Sequence, residues 1–185
     1  MIARMMKSFL PICLAAVLLL AAGPAPATSQ TMDIPADMAP EPAPVDAIVV
    51  IKSERTLYLL DRHHNVIKSY RVALGGNPVG DKEEEGDSKT PEGRYYVENR
   101  NPNSHYYLSL KVSYPNASDK ERARRRKVSP GGNIFIHGQP NGKAWMWWKY
   151  SPKYDWTDGC IGMTDRDVKE VWDLVADKTP IIIRP

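Results

Sequence analysis

Cysteine is nearly absent from this chain of 185 residues. There are two, Cys13 and Cys160, and Cys13 lies inside an N-terminal apolar run, so no disulfide framework is available. Metal-ligand spacing is missing as well. The four histidines form neither an H-x-H nor an H-E-x-x-H pattern, which speaks against a zinc peptidase, and no cofactor is expected. Long hydrophobic runs are lacking: "FLPICLAAVLLLAA", Phe9 to Ala22, has signal-peptide length and is too short for a comfortable membrane span. No repeat of helical or propeller length is found.

What is present starts with that run. Arg4 and Lys7 precede it, and "APA" at Ala25 to Ala27 fits the small-x-small cleavage rule. Residues 1–27 therefore read as a signal peptide and the chain as exported to the periplasm or cell envelope, with an uncleaved anchor as the alternative. Cleavage removes Arg4 and Lys7 from 25 basic side chains, leaving 23 against 22 acidic ones. A near-neutral domain with no basic surplus argues against a nucleic-acid partner, and no stable membrane span is expected after cleavage. Residues 28–47, rich in Pro and Ala with little apolar periodicity, read as a disordered tether. Residues 48–185 suffice for one domain with a real core.

The domain reads as mainly β. "IVVIK" at Ile48 to Lys52 is a β-branched run, and "TLYLLD" and "VIKSYRVAL" flank the polar turn "RHHN" as a hairpin. "HYYLSLKVSYPN" alternates, with Tyr106, Leu108, Leu110 and Val112 on one face and Tyr107, Ser109, Lys111 and Ser113 on the other. The second face suits a substrate groove or plain solvent. "ASDKERARRRKVSPGG" predicts a short helix capped by Ser118 or Asp119. Its basic run points either to an anionic surface or to solvent. "TDRDVKEVWDLVADKTP" predicts an amphipathic helix with Thr164 as N-cap and Asp167 at the third position. About seven strands and two short helices, mostly hairpin-connected, imply a β-sandwich or partly closed barrel.

A single thiol in an oxidising space is open to oxidation and mixed disulfides. It is either a buried, inert hydrophobe or a reacting group. Its neighbours favour reaction. Gly159 precedes Cys160, keeping the approach clear and leaving backbone N–H groups for a reacting carbonyl. His137 ends the strand "NIFIHG" 23 residues upstream, and a nearby imidazole is the usual means of lowering a thiol pKa.

"IFIHG" followed by "TDGCIGM" resembles the signature of the L,D-transpeptidase catalytic domain (YkuD) family, HG followed by S/T-H-G-C-I/V-R. "GDSKTPEG" resembles that family's T-P-x-G strand entry. "SLKVSYPN" and "VSPGGNIFIHGQPNG" are similar to the branch named after the enterobacterial YafK (DpaA) proteins. The resemblance covers Ile48 to Pro185. It implies Cys160 as the acylated nucleophile, His137 as general base and acid, and the Gly138 carbonyl as the group orienting the imidazole. It also implies the N–H groups of Gly159 and Cys160 as oxyanion donors, with Thr157 at the motif's Ser/Thr. Two positions depart from the pattern: Asp158 replaces a second His, and Gly162 replaces Arg. The second change leaves the substrate carboxylate without an assigned anchor, for which Arg94, Lys111 and Arg166 are candidates by position.

Between His137 and Cys160 lie Trp145, Trp147, Trp148 and Trp156 with Tyr150 and Tyr154. They read either as an amphipathic cover over the groove or as rings that hold the loop down. Substrate contacts are expected from Trp156, Thr157, Asp158, Tyr107, Ser109, Lys111 and Arg94. His105 is placed outside the groove, and His63 and His64 in solvent. The resemblance implies acyl transfer through a thioester on peptidoglycan stem peptides. The acyl-enzyme is resolved by an amine of another stem, by a protein lysine or by water, and water would make the enzyme a hydrolase releasing stem peptide or wall-linked protein. A sortase-like transpeptidase fits the short His–Cys spacing poorly. A non-catalytic wall-binding module is the alternative of a different class.

Overall fold

The computed structural model describes residues 44–185. The segments read from sequence as a signal peptide and, for the most part, as a tether lie outside the described residues. Strand β1 (Ala47–Ile51) begins one residue before the expected boundary, followed by β2 (Thr56–Leu60) and β3 (Val66–Arg71). The long strand β4 (Gly93–Ser104) and β5 (Tyr107–Val112) precede helix α1 (Ala117–Arg126). Two short strands, β6 (Phe135–His137) and β7 (Ile161–Gly162), then lead to helix α2 (Asp165–Leu174) and β8 (Pro180–Arg184).

The eight strands form one mixed sheet in the order β3-β2-β1-β8-β4-β5-β6-β7. The expected β2–β3 hairpin is present, and β1 pairs antiparallel with β2 to extend it into a meander. The last strand, β8, is inserted in the centre, parallel to β1 and antiparallel to β4. β4 is long because it serves two neighbours in succession: residues 93–96 pair with β8, and residues from Val97 onward pair with β5. The two edges approach one another just beyond β3, where Ala73 and Gly162 exchange both backbone hydrogen bonds (2.8 and 2.9 Å). Closure at this point makes the sheet a partly closed barrel.

Alternation decides which side chains fill it. Ile48, Val50, Leu57 and Leu59 are fully buried while their strand neighbours are not. Val168 and Val171 of α2 join the same core, as the helical period requires. Thr164 caps α2, its hydroxyl accepting the Asp167 N–H at 3.1 Å as expected.

Helix α1 begins differently from the sequence reading. The cap is Asn116, whose side chain accepts the Asp119 N–H (3.0 Å) while the Asp119 carboxylate accepts the Asn116 N–H (2.9 Å). Asp119 is thus the far half of a reciprocal capping box, and Ser118 lies inside the first turn. The basic run of α1 is consumed internally: Arg122 pairs with Asp81, Arg124 with Glu121 and Arg126 with Glu83. All four arginines of the run are paired, Arg125 also reaching Glu121, so most of its positive charge is already matched.

Candidate active site

β6 ends at His137 with its side chain opposite Ser109 of β5, and both residues are buried. Beyond them opens a cavity of about 590 Å³, lined among others by His137, Ser109, Trp156, Thr157, Asp158 and Cys160. The nucleophile and base proposed from sequence therefore share one concave space.

The imidazole is held from three sides. Its Nδ1 lies 2.7 Å from the Gly138 carbonyl, which can only accept, so Nδ1 carries the proton and Nε2 presents a lone pair. Tyr106 packs against the ring at 4.5 Å between centroids, and Trp156 meets it edge-on at 5.6 Å. This aromatic enclosure disfavours the charged form. Burial lowers the His137 pKa to about 4, outweighing the opposing hydrogen bond to the Gly138 carbonyl.

Gly138 itself is pinned. Its N–H donates to the Tyr106 and Leu108 carbonyls (3.1 and 3.2 Å), and a Cβ there would lie 2.6 Å from Asp165 Oδ1. That same oxygen accepts the Gln139 N–H at 2.7 Å. Asp165, at the start of α2, thus fixes the turn whose carbonyl fixes the imidazole.

The Cys160 turn is organised by Thr157. Its hydroxyl accepts the Gly159 N–H (3.2 Å) and donates to the Cys160 carbonyl (2.7 Å). Gly159 is therefore not an available oxyanion donor. Its N–H is occupied, and its place in the motif follows from its left-handed φ of 123°. Among the described residues no acceptor takes the Cys160 N–H, and this leaves it free for a reacting carbonyl.

The thiol is not pre-ionised. Burial pushes the Cys160 pKa up to about 11, the backbone of Phe135 pulls the other way, and the Asp158 carboxylate adds to the rise. The expectation that the imidazole lowers the thiol pKa gives way here, because enclosure dominates both groups. The resting site therefore holds a neutral thiol and a neutral imidazole on the walls of one cavity.

The other sequence-proposed residues divide. Ser109, Trp156, Thr157 and Asp158 line the cavity. Arg94, Tyr107, Lys111 and Arg166 do not. Lys111 shares the Ser109 face of β5, but its ammonium is paired with Glu98 at 2.7 Å. Arg94 belongs to the half of β4 that pairs with β8, away from the β5–β6 face. Tyr107 takes a left-handed φ of 63°, which interrupts the alternation and turns Tyr106, not Tyr107, toward His137. His105 lines the cavity, contrary to the sequence reading, because the β4–β5 hairpin end curls over it.

Sequence reasoning missed Lys149, which lines the cavity from the loop after His137, beside Tyr150, one of the aromatics read from sequence as a groove cover or as loop packing. The four loop tryptophans split between the two roles foreseen for them. Trp156 packs inward against Tyr106, His137 and Tyr150, while Trp145, Trp147 and Trp148 are exposed. The Gly162 departure has a steric counterpart: a Cβ there would meet the Trp156 ring at 2.9 Å, so the indole occupies the space of a larger side chain.

Comparison with known proteins agrees with this geometry. YafK of Escherichia coli (strain K12) is 28% identical over 133 residues, covering 69% of this chain and 46% of that protein. The helical cell shape determining protein Pgp2 of Campylobacter jejuni superposes with a TM-score of 0.59 at 24% identity, over 75% of this chain and 47% of Pgp2. Bd1075 of Bdellovibrio bacteriovorus gives a TM-score of 0.53 at 25% identity, over 76% and 48%. The chain thus spans about half the length of these relatives. The family described as L,D-transpeptidase catalytic domain (YkuD) matches residues 45–183, and this chain belongs to it.

Proposed function

We propose that this domain is a cysteine acyltransferase acting on peptidoglycan stem peptides. The observation that carries the reading is the placement of Cys160 and His137 in one cavity, with the imidazole tautomer set by Gly138 so that Nε2 is the basic atom. Cys160 Sγ attacks the carbonyl of an L-centre next to a D-centre while Nε2 takes the thiol proton. The Cys160 N–H steadies the oxyanion. The C–N bond then breaks, the proton passes from Nε2 to the leaving amine, and a thioester remains. An acceptor amine or water attacks that thioester through the same nitrogen and regenerates the thiol.

The test is incubation with defined tetrapeptide muropeptides beside Cys160→Ala, with products read by mass. Cys160-dependent dimers mark transpeptidation, and Cys160-dependent fragments heavier by one water mark hydrolysis of stems or of wall-linked protein. Unchanged substrate with both proteins refutes the tetrapeptide-donor reading and favours a binding module.

Lys149 is the basic side chain in the cavity lining, so it is the group suited to hold a substrate carboxylate. Replacing it by Met is expected to raise KM about tenfold and leave kcat nearly unchanged, the pattern of a lost charge-assisted contact made equally in ground and transition states. An unchanged KM moves the carboxylate anchor elsewhere.

A further inference from the structure

Three tryptophans remain outside the chemistry described above. Trp145 lies within a single 3-10 turn, Ala144–Met146, and Trp147 and Trp148 follow it; they are 64, 64 and 51% exposed. Large apolar rings clustered in solvent on a single loop mark an interaction surface.

Their arrangement narrows the partner. Trp148 meets Trp145 at 69° and Trp147 at 87°, with centroids 6.1 and 6.3 Å apart. The rings brace one another edge to face and form a projecting wedge. A sugar platform would instead leave a flat face open for parallel stacking. Charge narrows it further. From Gly138 to Tyr154 the chain carries Lys143, Lys149 and Lys153 and no acidic residue. Among the described residues none of the three lysines is in an ion pair, unlike Arg122, Arg124 and Arg126 of α1. Indoles favour the headgroup level of a bilayer, and unpaired lysines beside them favour anionic lipid. Among the described residues no helix is long and apolar enough to cross a membrane, so the contact would be peripheral.

We propose that the Trp145–Trp148 loop docks the domain on an anionic phospholipid surface, with Lys143 and Lys153 supplying the electrostatic attraction. Lys149 and Tyr150 of the same loop line the cavity. Docking therefore sets the cavity mouth beside the bilayer, within reach of what is presented close to it. The proposal is independent of the acyl-transfer reading.

The experiment uses the full chain, a triple Trp145, Trp147, Trp148→Ser variant and a double Lys143, Lys153→Gln variant. Each is mixed with vesicles of phosphatidylcholine alone or containing phosphatidylglycerol. The parent should bind the phosphatidylglycerol vesicles, more weakly as salt rises, and brominated lipid should quench its tryptophan emission. The triple variant should bind at least about tenfold more weakly, and the double variant should lose most of the preference for anionic lipid. The lysine variant keeps the test decisive if thermal unfolding shows the triple variant to be misfolded. Equal binding by parent and both variants assigns lipid affinity to the N-terminal apolar run and overturns the proposal. So does indifference to vesicles combined with capture on purified peptidoglycan that the variants lose, which would make the loop a glycan contact.

Discussion

At pH 7, iodoacetamide will alkylate Cys160 roughly a hundredfold more slowly than an unhindered thiol, because a pKa raised by about two units leaves about a hundredth of the thiolate. The rate should climb about tenfold per pH unit toward pH 11, with no plateau near neutrality. Turnover of substrate should behave differently. His137 is neutral above about pH 4 and Cys160 keeps its proton below about pH 11, so the reactive neutral pair persists between these limits. The acyl-transfer rate is therefore expected to stay level across the range where an ordinary histidine titrates, with its acid limb displaced toward pH 4. The thiol becomes a nucleophile only when a bound carbonyl draws the proton onto Nε2. Fast alkylation at pH 6 to 7 with a plateau would instead establish a standing thiolate–imidazolium pair and refute this account. A reluctant resting thiol is also less open to oxidation, since oxidation acts on thiolate character.

Gly159→Ala should be among the most damaging single substitutions in the domain. Its φ of 123° is closed to L side chains, and a Cβ there would lie 2.6 Å from the Lys89 carbonyl and 3.2 Å from Ile134 Cδ1. The Lys89 carbonyl cannot retreat easily. Its neighbours are tied down by the Asn77 N–H on the Ser88 carbonyl, by the Gly75 N–H on Thr90 Oγ1 and by Lys52 Nζ on the Thr90 carbonyl. Relief must come from the 157–160 turn, which breaks the Thr157 hydrogen bonds and displaces the thiol. We expect a stability loss of about 3 kcal/mol or more in denaturant unfolding. Acyl transfer should fall at least about 100-fold even at temperatures where the variant is folded. Gly142→Ala is the control: φ is also left-handed (71°), but nothing lies within 4 Å, so only about 1 kcal/mol is expected. Equal effects at the two positions would show that close packing around Gly159 is unimportant.

The parts of this architecture legible in the sequence are those written in local signals. The β2–β3 hairpin follows from alternation around a polar turn, and the start of α2 from Thr164 and Asp167 three residues apart. The Cys160 and His137 candidates came from motif resemblance and from the isolation of the thiol. What escaped depends on long-range placement. Nothing local to "PIIIRP" says that it sits between the first strand and β4. Helix α1 was started too late because Asn116 stands among turn-forming residues, and its cap becomes visible only once Asp119 is seen folded back. The groove face of β5 was misjudged at Tyr107, where one left-handed residue shifts the parity of the strand. Lys149 lies in a loop without periodicity, so no pattern could direct it toward the cavity. The acidity of the thiol was misjudged because proximity of an imidazole is readable from a motif, whereas exclusion of water is a property of the assembled walls.

The central position of β8 has a consequence for how the chain acquires its structure. The residues that pair Ile48 with Ile181, and Gly93 with Ile183, are separated by most of the domain. A growing polypeptide can form the early meander by itself, but the middle of the sheet stays open until β8 is made. Folding of this kind, dominated by distant contacts, is slow and favours one late cooperative step. Loss of "PIIIRP" alone would therefore remove the strand joining the two halves, and the His137–Cys160 cavity, though it takes no lining residue from that strand, would depend on it for existence.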